Sequence, residues 1–460
     1  ILYEFQNCVD LTHRNFPEIR VDLVYFDNLV GKNELARDVM IPLAHTDKDK
    51  IGTLLAQSRF EPETDNKEIV KAILSGRVAL FHIGKIYLIN VYEPLSRNVE
   101  ESQIESNIVG PHDAFVESIE KNLALLRRRV KSSHLKTIPL SVGEVTKTEI
   151  YILYVDGIVN MDYVHEIVRR IKNIETDAVF DSNMLVQYID DNPNSLFPLF
   201  MTSERTDSAA SKLVGGRVIC LVDGSPSAIS APSSFFDFFS SSDDYYHRWP
   251  LATGTRLLRF VALIITMTFT SLYVAVTTFH YEMVPEALLL TLTESRSRVP
   301  FPPVYEALMM ETTIELLREA GARLPNKIGQ TIGIVGGIVI GQAAVQAGLT
   351  SNILIISVAS SAIASFVIPS YMMSASIRLI RFGLIILAGL WGNFGLMIGI
   401  SLLVTHLSGL TSLGASYLMP VAPNKFKDWI DLFIRGPFSK LKERPSIAKA
   451  TNVSRNKMRK

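Results

Sequence analysis

Thr331, Gln342 and Gln346 are polar side chains in a stretch, Ile328 to Ile377, of fifty residues without one Asp, Glu, Lys or Arg. A side-chain amide in a segment of hydrocarbon length is costly unless it meets protein or water. With Val335 and Ile338 these residues follow steps of 4, 3, 4 and 4, so one helix face carries all five. The opposite side offers Gly329, Gly333, Gly337 and Gly341, a four-residue repeat that lets helices pack closely. The chemistry open to such a helix is not covalent. In a ring of subunits the amides would hold water, and Val335 with Ile338 would form an apolar constriction that gates by dewetting. The plainer alternative is that the glutamines only hydrogen-bond neighbouring helices.

Glu315, Arg318, Glu319 and Arg323 form a second constellation at i, i+3 and i+4 spacings. On a solvated face such pairs stabilise a helix by about 0.2–0.5 kcal/mol each. Buried, they are costly and read as structural for assembly. Enzyme signatures are missing from the sequence: no histidine pair at i, i+4, no Walker loop and no nucleophile elbow. Asp156-Gly157 and Asp223-Gly224 read as turns. No catalytic activity, cofactor or metal site is expected. Cys8 and Cys220 are the only cysteines, too few for a disulfide framework or a zinc site, and are expected to be buried. Arg127-Arg128-Arg129 suits a helix C-terminus, where cations meet the negative dipole end. No wider basic field or aromatic interleaving accompanies it, so nucleic acid is not an expected partner.

A spanning helix takes about 20 mostly apolar residues. Two more charge-free runs, Phe260–Phe279 and Phe382–Asn424, flank the first. They make the C-terminal half an integral membrane region. The averages hide this, at 20% charged residues and a mean hydropathy of +0.22. About four spans are expected: Leu257–Phe279, Ile328–Gly348, Asn352–Ile368 ending at Pro369, and one within Phe382–Leu407. Arg256 and Arg259 flank the first span, and the positive-inside bias makes that side cytoplasmic. Four spans return the tail to the same side but leave Arg378 and Arg381 outside. A re-entrant element near Pro369 would resolve the conflict.

Pro300-Phe301-Pro302-Pro303 punctuates the chain, and helical periodicity resumes over Val304–Gly321. This stretch carries Glu306, Glu311, Glu315, Arg318 and Glu319, too many charges for a lipid-exposed span. It is expected as an amphipathic helix at 304–321, at the interface or buried among spans rather than crossing the bilayer. The tail Lys425–Lys460 holds eleven basic and three acidic residues, net +8, leaving −8 on the rest of a chain of net +0. It reads as cytoplasmic, and as either solvated or touching anionic lipid.

The N-terminal half carries a diverged duplication. Val24-Tyr25-Phe26-Asp27-Asn28-Leu29-Val30 recurs as Leu153-Tyr154-Val155-Asp156-Gly157-Ile158-Val159. Ser75-Gly76-Arg77-Val78-Ala79-Leu80 recurs as Gly215-Gly216-Arg217-Val218-Ile219-Cys220. Both strings are apolar strand-like runs bounded by turn residues. The expected fold class is therefore an α/β soluble region of two similar subdomains followed by an all-α polytopic membrane domain. The expected divisions are 1–104 and 105–235 for the subdomains, 236–256 for a linker containing Ser240–Asp244, 257–407 for the membrane domain, and 408–460 for the tail. Nothing at the start, Ile1 onward, resembles a signal peptide, so the first span is expected to direct insertion.

Several strings resemble the A subunit of bacterial spore germinant receptors. They are Asp243-Asp244-Tyr245-Tyr246-His247-Arg248-Trp249, Val299-Pro300-Phe301-Pro302-Pro303 and Glu315-Leu316-Leu317-Arg318-Glu319-Ala320-Gly321. The longest runs from Ile328-Gly329-Gln330-Thr331 through Gly341-Gln342-Ala343-Ala344-Val345, and Ala364-Ser365-Phe366-Val367-Ile368-Pro369-Ser370-Tyr371 adds to it. Gly110-Pro111, Asn122-Leu123-Ala124-Leu125 and Phe197-Pro198 extend the resemblance across the soluble half.

The resemblance implies a multi-pass protein of the spore inner membrane with its N-terminal domain on the core side. It implies a homo-oligomer forming a nutrient-gated ion conduit, with monovalent cations as permeant ions. The implied partners are a transporter-like B subunit that receives the nutrient, a lipoprotein C subunit, and membrane lipid. Two alternatives stand beside it: a non-conducting scaffold that clusters receptor subunits, and the sporulation-stage paralogue of the same family. The chain departs from the family at Gln346, where an acidic residue is often found.

Overall fold

Two five-stranded antiparallel sheets with one shared strand order build the N-terminal half. The computed structural model describes residues 1–91, 105, 109–323, 337 and 339–455. The first sheet contains β1 (Leu11–Phe16), β2 (Val21–Phe26), β3 (Glu61–Glu63), β4 (Arg77–His82) and β5 (Lys85–Asn90), in the order β1-β2-β4-β5-β3. The second contains β6 (Leu135–Val142), β7 (Thr148–Val155), β8 (Met201–Ser203), β9 (Val218–Val222) and β10 (Ala228–Ala231), in the order β6-β7-β9-β10-β8. The duplication read from the sequence is thus a repeat of topology. Asp27 follows β2 as Asp156 follows β7. Gly76 (φ +86°) and Gly216 (φ +90°) turn the chain into β4 and β9, in a backbone conformation that favours glycine.

The central strands are apolar on both faces because both faces are covered. All five residues of β9 are buried. The helices that cover the sheets are α1 (Asn66–Leu74), α2 (Ile119–Arg129), α3 (Met161–Lys172), α4 (Ser182–Ile189) and α5 (Thr206–Val214). Side chains start three of them: Asp65, Asn160 and Asp181 each accept a backbone N–H of the first turn. The two sheets meet at Arg127, at the end of α2. Its guanidinium donates to Asp10 Oδ1 at 2.5 Å and to Leu135 O at 3.1 Å, and lies 4.4 Å from the Phe26 ring centroid. Cys8 and Cys220 are both buried and free.

The C-terminal half is helical: α6 (Trp249–Phe279), α7 (Pro303–Arg323), a segment at 339–346, α8 (Asn352–Phe366) and α9 (Tyr371–Gly409). Helix α6 is long and apolar enough to cross a membrane. Helix α9 is a hairpin. Gly392 has φ +60° and ψ −141°, and a Cβ on Gly395 would stand 2.0 Å from Leu387 O. The two arms, residues 371–391 and 393–409, therefore run side by side. Both return to the α/β region, where Ser376 Oγ donates to Leu196 O and His406 Nε2 lies 3.4 Å from Ser195 Oγ.

Four expectations change. First, the last expected span within 382–407 is two antiparallel arms that start at Tyr371, eleven residues before the charge-free run opens at Phe382. Arg378 and Arg381 then lie in the arm end close to the α/β region, which removes the conflict over their side. Second, the helix expected at 304–321, at the interface or buried among spans, is packed among the helices of the bundle and is not amphipathic. Val304 packs against Gly389 beside the hairpin apex, while Arg318 reaches Ser365 near the α/β region, so α7 runs the depth of the bundle. Its packed face carries Glu306, Ala307, Met310 and Glu311, where an amphipathic pattern would put apolar residues only. Third, the expected linker at 236–256 is packed at its start: Phe238 and Phe239 are buried with Tyr417, and Asp244 is 1% exposed. Fourth, the tail is folded as far as residue 455. Ile447 and Ala448 are buried, Tyr163 Oη donates to Ile447 O at 3.1 Å, and Thr451 N donates to Ile158 O at 2.9 Å.

Candidate functional site

The buried charges of the helical half gather where α7, α8 and α9 meet. Glu311 and Arg381 are both 0% exposed and approach to 2.5 Å. Thr270 of α6 donates to Glu311 Oε1 at 2.8 Å, and Arg381 Nη1 donates to Ser361 Oγ of α8 at 2.6 Å. One turn along, Glu315 meets Arg378 at 3.1 Å and Arg381 at 3.5 Å. Arg318 donates to Ser365 Oγ at 2.9 Å and lies 4.5 Å from the Phe366 ring centroid. The network ties four helices together through charge-assisted hydrogen bonds in a low-dielectric setting, where an unpaired charge is heavily penalised. Farther toward the hairpin apex Glu306, also fully buried, meets Arg296 at 3.1 Å and accepts Ser351 N at 3.2 Å.

This differs from the charge set at Glu315, Arg318, Glu319 and Arg323. Glu319 and Arg323 do pair, at 2.6 Å, but on an exposed face. Glu315 and Arg318 stand 4.0 Å apart, and Glu315 turns instead to α9. Glu311, Arg378 and Arg381 are the members that sequence reasoning missed. No local signal marks them as a set, because the partners stand on different helices.

The segment at 339–346 presents Gln342 and Gln346 at its exposed surface. Gly341 is buried, with Ile355 of α8 4.0 Å from where a Cβ would stand, and a Cβ at Gly337 would meet nothing within 4 Å. Gly341 is thus packed, while Gly337, expected on the same packing face, is exposed like Gln342 and Gln346. Thr331, Val335, Ile338, Gly329 and Gly333 lie outside the described residues. Among the described residues no cluster of histidine, cysteine and carboxylate side chains suits a metal ion.

The string Asp243–Trp249 joins the α/β region, α6 and the tail. Asp243 pairs with Arg205 at 3.2 Å, and Asp244 with Arg256 at 3.2 Å and Arg259 at 2.8 Å. Tyr245 Oη donates to both oxygens of Asp431, at 2.9 and 3.0 Å, and its ring carries the guanidiniums of Arg256 and Arg435 at 5.8 and 5.5 Å. Tyr246 Oη donates to Asp207 at 2.6 Å. Burial raises the Tyr245 phenol, and the Asp431 carboxylate beside it raises it further, so the proton stays on the tyrosine. Nearby, burial lowers the Lys212 ammonium to about 8, with Arg217 adding to the effect. Asp237 is buried too, yet Arg217 and Lys212 hold it well below the usual carboxylate range. The junction is therefore a chain of charge contacts from the second sheet into the first helix of the bundle.

Residues 1–447 match the Bacillus/Clostridium GerA spore germination protein family. Spore germination protein GerQA of Bacillus cereus is 44% identical over 432 residues, covering 93% of this chain and 87% of that protein. Spore germination protein A1 of Bacillus subtilis (strain 168) is 39% identical over 419 residues, covering 90% of this chain and 87% of that protein. The crystal structure of the N-terminal domain of the A subunit of the Bacillus megaterium spore germinant receptor GerK3 is also similar. It aligns with 51% of this chain and 92% of that domain, at 25% identity and a TM-score of 0.40. With the match running through both sheets and the helical bundle, the chain belongs to the GerA family of spore germination proteins.

Proposed function

We propose that this chain is the A subunit of a nutrient germinant receptor in the spore inner membrane, and that copies of it assemble into a nutrient-gated ion conduit. The α/β region lies on the core side, and a transporter-like B subunit and a lipoprotein C subunit complete the receptor. The observation that carries the conduit reading is the exposure of Gln342 and Gln346 on an uncharged helical segment, residues 339–346. Two amides at that depth must meet water or another copy. The buried Gly341 on the other side gives the helix a firm backing against α8. Family membership supports a role in germination. The orientation rests on Arg256, Arg259, Arg378 and Arg381, which all lie toward the α/β end, as the positive-inside bias requires of a cytoplasmic side.

The test is a Gln342→Cys variant with Cys8 and Cys220 replaced by serine. A water-lined path exposes the thiol to a charged, water-soluble thiol reagent, and modification blocks nutrient-triggered ion release. Ile338→Ala should in addition release ions without nutrient. A thiol that never reacts, together with parental germination of Ile338→Ala spores, would favour the non-conducting scaffold.

A further inference from the structure

We propose that the groove between α7, the helical segment at 339–342 and α8 binds an anionic membrane lipid, with its acyl chain along the groove and its phosphate against Arg318 and Arg378. This rests on the reading of the helical half as membrane-inserted. A cavity of about 1860 Å³ opens between the bundle and the second α/β sheet. Its bundle wall begins at Arg318 and continues through Leu317, Ile314 and Met310 of α7, facing Ile340 and Val358. From Arg318 to Met310 the wall is about 12 Å long at 1.5 Å per residue. A charged mouth on an apolar groove fits an amphiphile. A bare anion would leave the apolar length unused.

The charge balance selects the sign of the headgroup. The ionic cluster here sets two carboxylates, Glu311 and Glu315, against three guanidiniums, Arg318, Arg378 and Arg381. One positive charge is left over. Arg318 and Arg378 border the cavity, and neither Glu311 nor Glu315 does. Arg318 Nε is buried and has no hydrogen-bond partner. On the opposite wall Arg205 pairs with Asp207 and Asp243, and Lys212 and Arg217 share Asp237, while Lys440, Lys442 and Arg455 of the tail also border the cavity. A phosphate at Arg318 would meet a planar donor fork suited to it, at the end of the bundle where anionic headgroups of the cytoplasmic leaflet lie.

The full chain is purified in detergent and titrated with phosphatidylglycerol or phosphatidylcholine in mixed micelles, with bound lipid read by native mass spectrometry. Selective retention of phosphatidylglycerol is expected. Arg318→Gln should weaken it by about tenfold, the loss of one charge-assisted contact. Ala359→Phe fills the groove without touching a charge and should weaken it comparably. Arg323→Gln, on the exposed pair, should leave it unchanged. Parental phosphatidylglycerol affinity in Ala359→Phe overturns the proposal, and decides the matter even if Arg318→Gln fails to fold. Displacement of the lipid by inorganic phosphate at equal occupancy would also overturn it, in favour of a headgroup-only anion site. Retention that vanishes only when copies associate would assign the groove to a second copy instead. Ion release is a separate readout, so loss of lipid with intact release leaves the conduit reading standing.

Discussion

Glu311 of α7 and Arg381 of α9 form an ion pair at 2.5 Å with both side chains 0% exposed. Each also reaches a further helix, Glu311 through Thr270 of α6 and Arg381 through Ser361 of α8. Removing one member leaves a buried charge without its counterion. Glu311→Gln or Arg381→Met should each cost about 3–5 kcal/mol, while Glu311→Leu with Arg381→Met should cost far less. Melting of the detergent-purified protein in a double-mutant cycle checks this. Additive losses in the double variant would mean that the two residues are not coupled.

The hairpin of α9 depends on Gly392, whose φ of +60° and ψ of −141° are closed to side-chain-bearing residues. A Cβ there would also stand 3.0 Å from Phe279 Cβ. Gly392→Ala should destabilise the bundle by about 1–3 kcal/mol. Gly389→Ala tests the neighbouring contact, since its Cβ would meet Val304 at 2.0 Å. A parental melting temperature for both variants would show that residues 371–409 do not turn back here.

Asp244 neutralises Arg256 and Arg259 at the junction of sheet and bundle. Asp244→Asn should leave Arg259 without its counterion and Arg256 with Asp431 alone, and loosen the tail segment that Arg256 and Tyr245 hold through Asp431. The expected result is protease cleavage within 426–444 at concentrations that spare the parent. Tyr245→Phe removes only the phenol–Asp431 bonds, for a smaller loss of about 1.5–3 kcal/mol, typical of a hydrogen bond to a charged group. If both variants resist protease like the parent, the junction is not held by these charges.

Glu166 on α3 is held near 2, below its ordinary 4.5, first by the hydrogen bond from Arg169 and then by Arg170. A carboxylate with a lowered folded-state pKa stabilises the fold above its unfolded value. That contribution is lost as pH falls from about 4.5 through 2. Because the pair is largely solvated, Glu166→Gln should cost less than about 1 kcal/mol at neutral pH. It should also flatten the acid limb of the stability curve in that window. An unchanged acid limb would argue against the pairing.

Elements whose signal is local were legible in the sequence. The β2 and β7 strings, with Asp27 and Asp156 closing them, marked a repeat because strand patterning and turn residues act over a few positions. Gly76 and Gly216 sit where a left-handed turn is needed, and that need is also local. Uncharged length declared the apolar helices.

Elements whose signal is a partner were not legible. Nothing near Gly392 distinguishes a hairpin apex from a spanning helix, since the reversal is fixed by packing of Gly395 and Gly399 against the first arm. The basic tail read as solvated or lipid-touching because Ile447 gains its burial only from a core built by α3 and the second sheet. The charges of α7 read either as a solvated face or as buried assembly contacts, because a single helix cannot reveal that Arg378 and Arg381 wait on another. Amino-acid order by itself determined which segments are strands, turns and apolar helices, because those choices depend on neighbours in the chain. Only the tertiary structure decided which charges are buried and which helix faces meet, because burial and pairing depend on neighbours in space.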